Sequence, residues 1–128
     1  MQKQCVNATD GPPAKGPYSH AVIAGDFVFV SGQGPFTAQG VAYGTFEHET
    51  RVTFANFEKV LAAAGCGLKD IVKVTVFLAD MNDFAEFNRI YQEYFTTDCP
   101  ARSCVQVGRL PLDIKVEIEA VAWRGTGD

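Results

Sequence analysis

Apolar and polar positions along the chain change period several times, and each change marks an element. Tyr18 to Ala24 reads as a strand, followed by Gly25-Asp26 and the apolar run Phe27-Val-Phe-Val30. Two residues led by glycine between apolar runs predict a hairpin. Phe27 to Val30 is apolar at every position, so cover is expected on both faces. Gly32 to Gly44, with Pro35 inside it, reads as a loop. From Phe46 to Ala64 the period turns helical: Phe46, Thr50, Phe54, Phe57, Leu61 and Ala64 recur at three or four, opposite Glu47, Arg51, Ala55, Glu58 and Ala62. Gly65-Cys66-Gly67 supplies the stop. Ile71 to Ala79 predicts a β-branched strand with Val72, Val74, Val76 and Leu78 on one face, and about Asn82 to Phe95 a second helix with Phe84, Phe87, Tyr91 and Phe95 as its stripe. Strands at Arg102 to Val107 and Ile114 to Trp123 close the chain, and a short strand fits near Cys5.

The order β-β-α-β-α-β-β describes an α+β domain of two layers, with two helices on one face of a five- or six-stranded sheet. That arrangement leaves the other face bare. Along the last strand Val121 and Trp123 point opposite to Ile114, Val116, Ile118, Ala120 and Ala122, because side chains alternate. Apolar groups therefore stand on both faces, and burial against another copy of the chain is the expected remedy.

Length and composition narrow the class. The 128 residues fit one domain, residues 1–128, with no repeat, linker or low-complexity tract to divide them. Fifteen acidic against eleven basic residues leave a formal charge of −4 and no basic stripe, which argues against nucleic acid as the main partner. No apolar run approaches the roughly 20 residues that cross a bilayer. The first residues, Met1-Gln-Lys-Gln-Cys5, carry no apolar signal-peptide core and are not rich in arginine and serine. A cytoplasmic location with reduced thiols is expected. Cys5, Cys66, Cys99 and Cys104 form no CxxC pair and no metal-ligand spacing with His20 or His48. Gly32-Gln-Gly34 lacks the third glycine and the helix of a dinucleotide fingerprint, and Walker, HExxH and GxSxG motifs are absent. No metal or organic cofactor is expected.

The chemistry is concentrated in the last two strands. Arg102 and Cys104 share one face of theirs, and Lys115, Glu117 and Glu119 alternate with the apolar set on the next. A guanidinium fork suits a carboxylate ligand, and a half-buried carboxyl suits proton transfer, so these groups are read as lining one polar surface. Solvated strand positions or an ordinary ion pair would give the same pattern. Asn88 falls beside Phe84, Tyr91 and Phe95 on the apolar stripe, where its amide either ties a loop or faces a site. Tyr18 leaves a Gly-Pro turn with its hydroxyl free for a pocket or for a core edge. Ser31 and Gly32 bring backbone close to a ligand or form a turn. Cys104 is read as a buried thiol, since no histidine lies nearby in sequence to activate it.

Five segments together resemble the signature blocks of the RidA/YjgF family: Gly16-Pro-Tyr-Ser-His-Ala21, Phe29-Val-Ser-Gly-Gln33, Asn82-Asp-Phe-Ala-Glu-Phe-Asn88, Pro100-Ala-Arg-Ser-Cys-Val-Gln-Val107 and Val116-Glu-Ile-Glu-Ala-Val-Ala122. The resemblance covers essentially the whole chain. It implies a chorismate-mutase-like fold, a homotrimer with sites between subunits, and cofactor-free hydrolysis of 2-iminopropanoate and 2-iminobutanoate to 2-keto acids. It further implies Arg102 as the clamp on the substrate carboxylate and Glu119 as the group that activates water. Tyr18, Ser31, Gly32, Asn88 and Cys104 are then binding or supporting residues. The chain departs from the family at Gly34, where a branched apolar residue is frequent, at His20 in place of glutamine, and at Arg109 in place of alanine. These departures bear on the substrate side chain. Two other readings use the same trimer: a keto-acid-binding regulator without turnover, and a ribonuclease or translation inhibitor, which the acidic balance disfavours.

Overall fold

The computed structural model describes residues 2–125. Eight strands and two helices follow in the order β1 (Gln4–Val6), β2 (Ala21–Ala24), β3 (Phe27–Gln33), β4 (Phe36–Thr37), β5 (Gly40–Val41), α1 (Phe46–Ala63), β6 (Ile71–Leu78), α2 (Phe84–Tyr94), β7 (Ala101–Gln106) and β8 (Val116–Trp123). Six of the strands form one mixed sheet in the order β1-β2-β3-β8-β6-β7. Every neighbouring pair is antiparallel except β6 and β7, which run parallel because α2 carries the chain back between them. This is the expected α+β domain with a mixed sheet and two helices. No helix among the described residues is long and apolar enough to cross a membrane.

The turn chemistry sits where the sequence puts it. Gly25 takes φ +62° between paired Ala24 and Phe27, closing the β2–β3 hairpin in two residues. Thr45 caps α1 by accepting the His48 amide at 3.1 Å. The helix ends at Gly65, whose φ of +78° lets the Cys66 amide reach back to the Leu61 carbonyl at 2.8 Å and the Gly65 amide to Ala62 at 3.0 Å. All six positions of the predicted α1 stripe are buried. Phe54, Phe57, Leu61 and Phe87 are wholly buried against Val28, Val74, Val76, Ile118 and Ala122 of the sheet. Each buried phenylalanine contributes roughly 2–3 kcal/mol. On the same layer, the Phe54 ring stacks on Tyr94 with centroids 4.0 Å apart.

Four expectations need correction. Tyr18, Ser19 and His20 precede β2 rather than belonging to it, because the Asn7 side chain accepts the His20 amide and the Ser31 amide turns to the His20 carbonyl. The stretch from Gly32 is not all loop: β3 runs on to Gln33, and β4 and β5 make a small hairpin of their own. Val72 does not join Val74, Val76 and Leu78 inside. A bulge between Ile71 and Lys73 shifts the register, so Ile71 is buried and Val72 faces out. Finally, Phe27 and Phe29 are not covered within the chain; they remain 44% and 48% exposed while Val28 and Val30 are buried.

An ion pair fixes the start of β8. Glu49 of α1 is fully buried and accepts hydrogen bonds from the Lys115 amide and ammonium, both at 2.9 Å, and from the Gly44 amide at 3.4 Å. Lys115 thus leaves the alternating polar row of the sequence and turns to the helix. Glu117 and Glu119 keep their places on the open face.

Candidate active site

An open cleft of about 740 Å³ lies on the side of the sheet away from the helices, lined by Tyr18, Ser31, Gly32, Phe36, Glu117 and Glu119, with Lys15, Pro111 and Leu112 at its margin. A second bulge, between Val30 and Gln33, brings Ser31 and Gly32 to it. The Ser31 hydroxyl donates to the Ser19 carbonyl at 2.6 Å, which holds the Tyr18 segment over the end of β3. Tyr18 itself is exposed, and its hydroxyl accepts the Lys15 amide at 3.4 Å. Gly32 leaves room for close approach: a Cβ there would overlap the Glu117 carboxylate as it lies and make that side chain swing aside.

The two acids differ. Glu117 is half-buried, and burial, reinforced by the charge of Glu119, raises its carboxyl above the ordinary range. Glu119 is exposed on the same strand face and also borders a shallow hollow with Phe29, Lys73 and Thr75.

Arg102 lies elsewhere. Its guanidinium carbon stands 4.8 Å from the ring centroid of Tyr91, 5.7 Å from that of Phe84 and 5.9 Å from that of Phe87. These three rings belong to α2, so Arg102 is held by cation–π contact in a box that the apolar stripe forms at the open sheet edge. Asn88, half-buried, comes one turn after Phe84 and one before Tyr91, at the rim of the stripe and not within it. Cys104 sits two residues along β7 on the Arg102 face; burial pushes its thiol up and the Arg102 charge opposes that. The Tyr91 hydroxyl is buried without a hydrogen-bond partner, and burial pushes it up to about 12.

The sheet register separates the two groups. Arg102 pairs with Val74, and Val74 with Ala120, all on the helix side; Ser103 pairs with Thr75, and Thr75 with Glu119, all on the open side. Paired residues share a face, so Arg102 and the carboxylates project from opposite faces of one sheet. The single polar surface expected from the sequence is therefore two surfaces. Tyr18, Ser31, Gly32 and Glu119 come together in the cleft; Arg102 and Cys104 share the helix side of β7, and Asn88 lies on α2 between the positions of Phe84 and Tyr91, whose rings hold the arginine. Sequence reasoning gave no weight to Phe36, Leu112 or the aromatic box around Arg102. The phenylalanines and Tyr91 were visible only as a helical stripe, whose end overhangs the edge strand.

The three departures from the family pattern have local explanations. The His20 ring accepts the Ala8 amide on Nδ1 at 2.9 Å and ties down the first strand region. At Gly34 a Cβ would come within 2.8 Å of both Phe36 and Ile114, so those side chains take the room that the glycine leaves. Arg109 makes a two-bond fork to Asp113, 2.7 and 3.1 Å, across the loop before β8.

Comparison with known proteins agrees in sequence and in fold. Residues 8–124 match the endoribonuclease L-PSP family. A RutC family protein of Pyrococcus horikoshii is 44% identical over 124 residues, which cover 95% of this chain and 98% of that one. The mouse 2-iminobutanoate/2-iminopropanoate deaminase is 43% identical over 126 residues, covering 96% and 93%. The crystal structure of E. coli TdcF with bound serine superposes with a TM-score of 0.89 at 42% identity, covering 94% and 98%. With this much of its length matched in both sequence and fold, the chain belongs to the endoribonuclease L-PSP family, that of RidA and YjgF.

Proposed function

We propose that this protein hydrolyses 2-imino acids to 2-keto acids and ammonia, at a site completed between two copies of the chain. The observation that carries the reading is the separation of Arg102 from the carboxylate cleft. Each half is chemically incomplete: an arginine clamp with no carboxylate beside it to carry protons, and a pair of acids whose cleft holds Lys15, a point charge, but no guanidinium fork for a substrate carboxylate. Each chain also exposes Phe27, Phe29, Val105 and Trp123 on the open face of the sheet, a surface suited to the association that would join the halves. A closed ring of three satisfies every copy, since each offers both an edge and a cleft. The relatives named as imine deaminases support the activity and the choice of 2-iminopropanoate and 2-iminobutanoate as substrates.

In this scheme Arg102, held flat by the Tyr91 ring, binds the substrate carboxylate through two parallel hydrogen bonds and orients the imine carbon. A water on the cleft side adds to the carbon of the N-protonated imine as Glu117 takes one of its protons. The resulting tetrahedral carbon bears hydroxyl and amine. Glu117 returns that proton to nitrogen, the C–N bond breaks and ammonia leaves, and Glu117 takes the hydroxyl proton as the oxygen becomes the carbonyl. The resemblance to the family points to Glu119 for the proton work. The geometry favours Glu117, which is half-buried against Gly32, and makes Glu119 the second charge that helps to raise it. Tyr18, Ser31 and Gly32 shape the cleft, while Asn88 and Cys104 support the arginine.

The test is trapping of imine by semicarbazide beside an enzyme that releases it, with Arg102→Ala and Glu117→Gln alone and mixed. Each variant alone should lose at least about a hundredfold. After unfolding and refolding together in equal amounts, about a quarter of the wild-type rate should return, because one interface in four then pairs an intact arginine with an intact glutamate. No recovery on mixing would rule out the shared site, and a wild type no faster than solvent would rule out the reaction.

A further inference from the structure

The loop before β8 carries an apolar residue in a conformation that it does not favour. Leu112 has φ +58° and ψ +20°, and Asp113 follows at φ +57°. The left-handed region costs a leucine free energy that a glycine would not lose, so the conformation persists only where its surroundings impose it. Two restraints do so here. Arg109 and Asp113 close the loop with their two-bond fork, and the Tyr43 hydroxyl donates to the Leu112 carbonyl at 2.7 Å from the far side. The side chain that results is 54% exposed and stands at the margin of the carboxylate cleft beside Phe36 and Pro111.

We propose that Leu112 is a specificity-determining residue, and that the protein prefers 2-imino acids with a branched apolar side chain over the three- and four-carbon imines of its named relative. The inference rests on the deaminase reading. With the substrate carboxylate on Arg102 and water on Glu117, the remaining substituent of the imine carbon is the amino-acid side chain, and Phe36, Pro111 and Leu112 are the apolar wall left for it. Glu117 and Glu119 stand in the same cleft and outnumber Lys15, so the lining as a whole disfavours an acidic side chain. The Gly34 position adds to the effect, because its missing Cβ is what lets the Phe36 ring lie toward Ile114 and flank the cleft.

The experiment compares 2-imino-4-methylpentanoate with 2-iminopropanoate, made from leucine and alanine by an amino-acid oxidase with catalase present and followed by semicarbazide trapping. Wild type, Leu112→Ala and Leu112→Gly are measured alongside thermal unfolding. Wild type should have the higher kcat/KM on the leucine-derived imine. The ratio of the two kcat/KM values should fall roughly tenfold in both variants, the usual worth of a few methylenes in an apolar pocket. Leu112→Gly should unfold no earlier than Leu112→Ala, since glycine adopts this conformation without strain, so a changed ratio in it reads a lost contact and not a broken loop. An unchanged ratio, or a wild type that favours the alanine-derived imine, overturns the assignment of Leu112 while leaving deamination standing. If wild type accelerates neither imine, the deaminase reading fails and this inference with it.

Discussion

On the helix-covered face of the sheet, Val28, Val74, Val76, Ile118 and Ala122 are sealed beneath Phe54, Phe57 and Leu61 of α1 and Phe87 of α2. On the opposite face Phe27, Phe29, Val105 and Trp123 remain close to half exposed, although they belong to the same sheet and are as apolar as the covered set. The difference is one of supply. Two amphipathic helices can close one face only, and a chain of this length has no third layer to offer. A one-sided sheet in which the second face is also apolar is the surface that the proposed association would cover. It carries the acids of the candidate site on the same side, so under that proposal closing the face and completing the site are one event.

The sharpest way to break this comparison is to truncate one aromatic on each face. Phe54→Ala should cost about 3–5 kcal/mol in urea unfolding, at any protein concentration, as expected for a cavity in a packed core. Phe29→Ala should barely change the stability of a single chain; its effect should appear as weaker association, read by light scattering on dilution. If Phe29→Ala instead destabilised a monomer as much as Phe54→Ala does, the open face would be part of the core of the single chain and the comparison would be wrong.

A smaller contrast uses the bulge in β6. Val74→Thr buries a hydroxyl on the covered face and should cost about 1–3 kcal/mol, whereas Val72→Thr, one bulge away and exposed, should stay within about 0.5 kcal/mol. Equal losses in thermal unfolding would mean that the register shift does not turn Val72 outward.

The smallest effect concerns the two acids on the open face. A base must be ionised to act, so activity should rise with pH through the raised Glu117 carboxyl. Glu119→Gln removes the like charge but not the burial, and the acid limb of the kcat profile should move to lower pH without reaching the ordinary carboxylate range. A limb that stays in place would show that Glu119 does not act on Glu117. Stability has its own sign. Between the ordinary carboxylate value and the raised one, the native state binds more protons than the unfolded chain, so this group makes the fold less stable as pH rises across that window.

Much of the architecture is written in local pattern. The α1 stripe, the hairpin at Gly25-Asp26, the helix stop at Gly65 and the two-faced last strand could each be read from the sequence, because each depends on spacing or on one residue's backbone freedom. What local pattern cannot hold is how separate elements meet. The bulges at Val72 and at Ser31-Gly32 depend on the partner strand and decide which side chains turn in. Glu49 reads as one more acid on a helix until Lys115, 66 residues on, arrives to pair with it. Arg102 and Glu119 look like neighbours in a list of polar strand residues, yet the register places them on opposite faces. By itself, then, the sequence determined the elements, the chemistry they carry and an excess of apolar surface, since those follow from period and composition. Only the tertiary structure decided which face each reactive group occupies, because a shift of one residue in pairing reverses every side chain that follows.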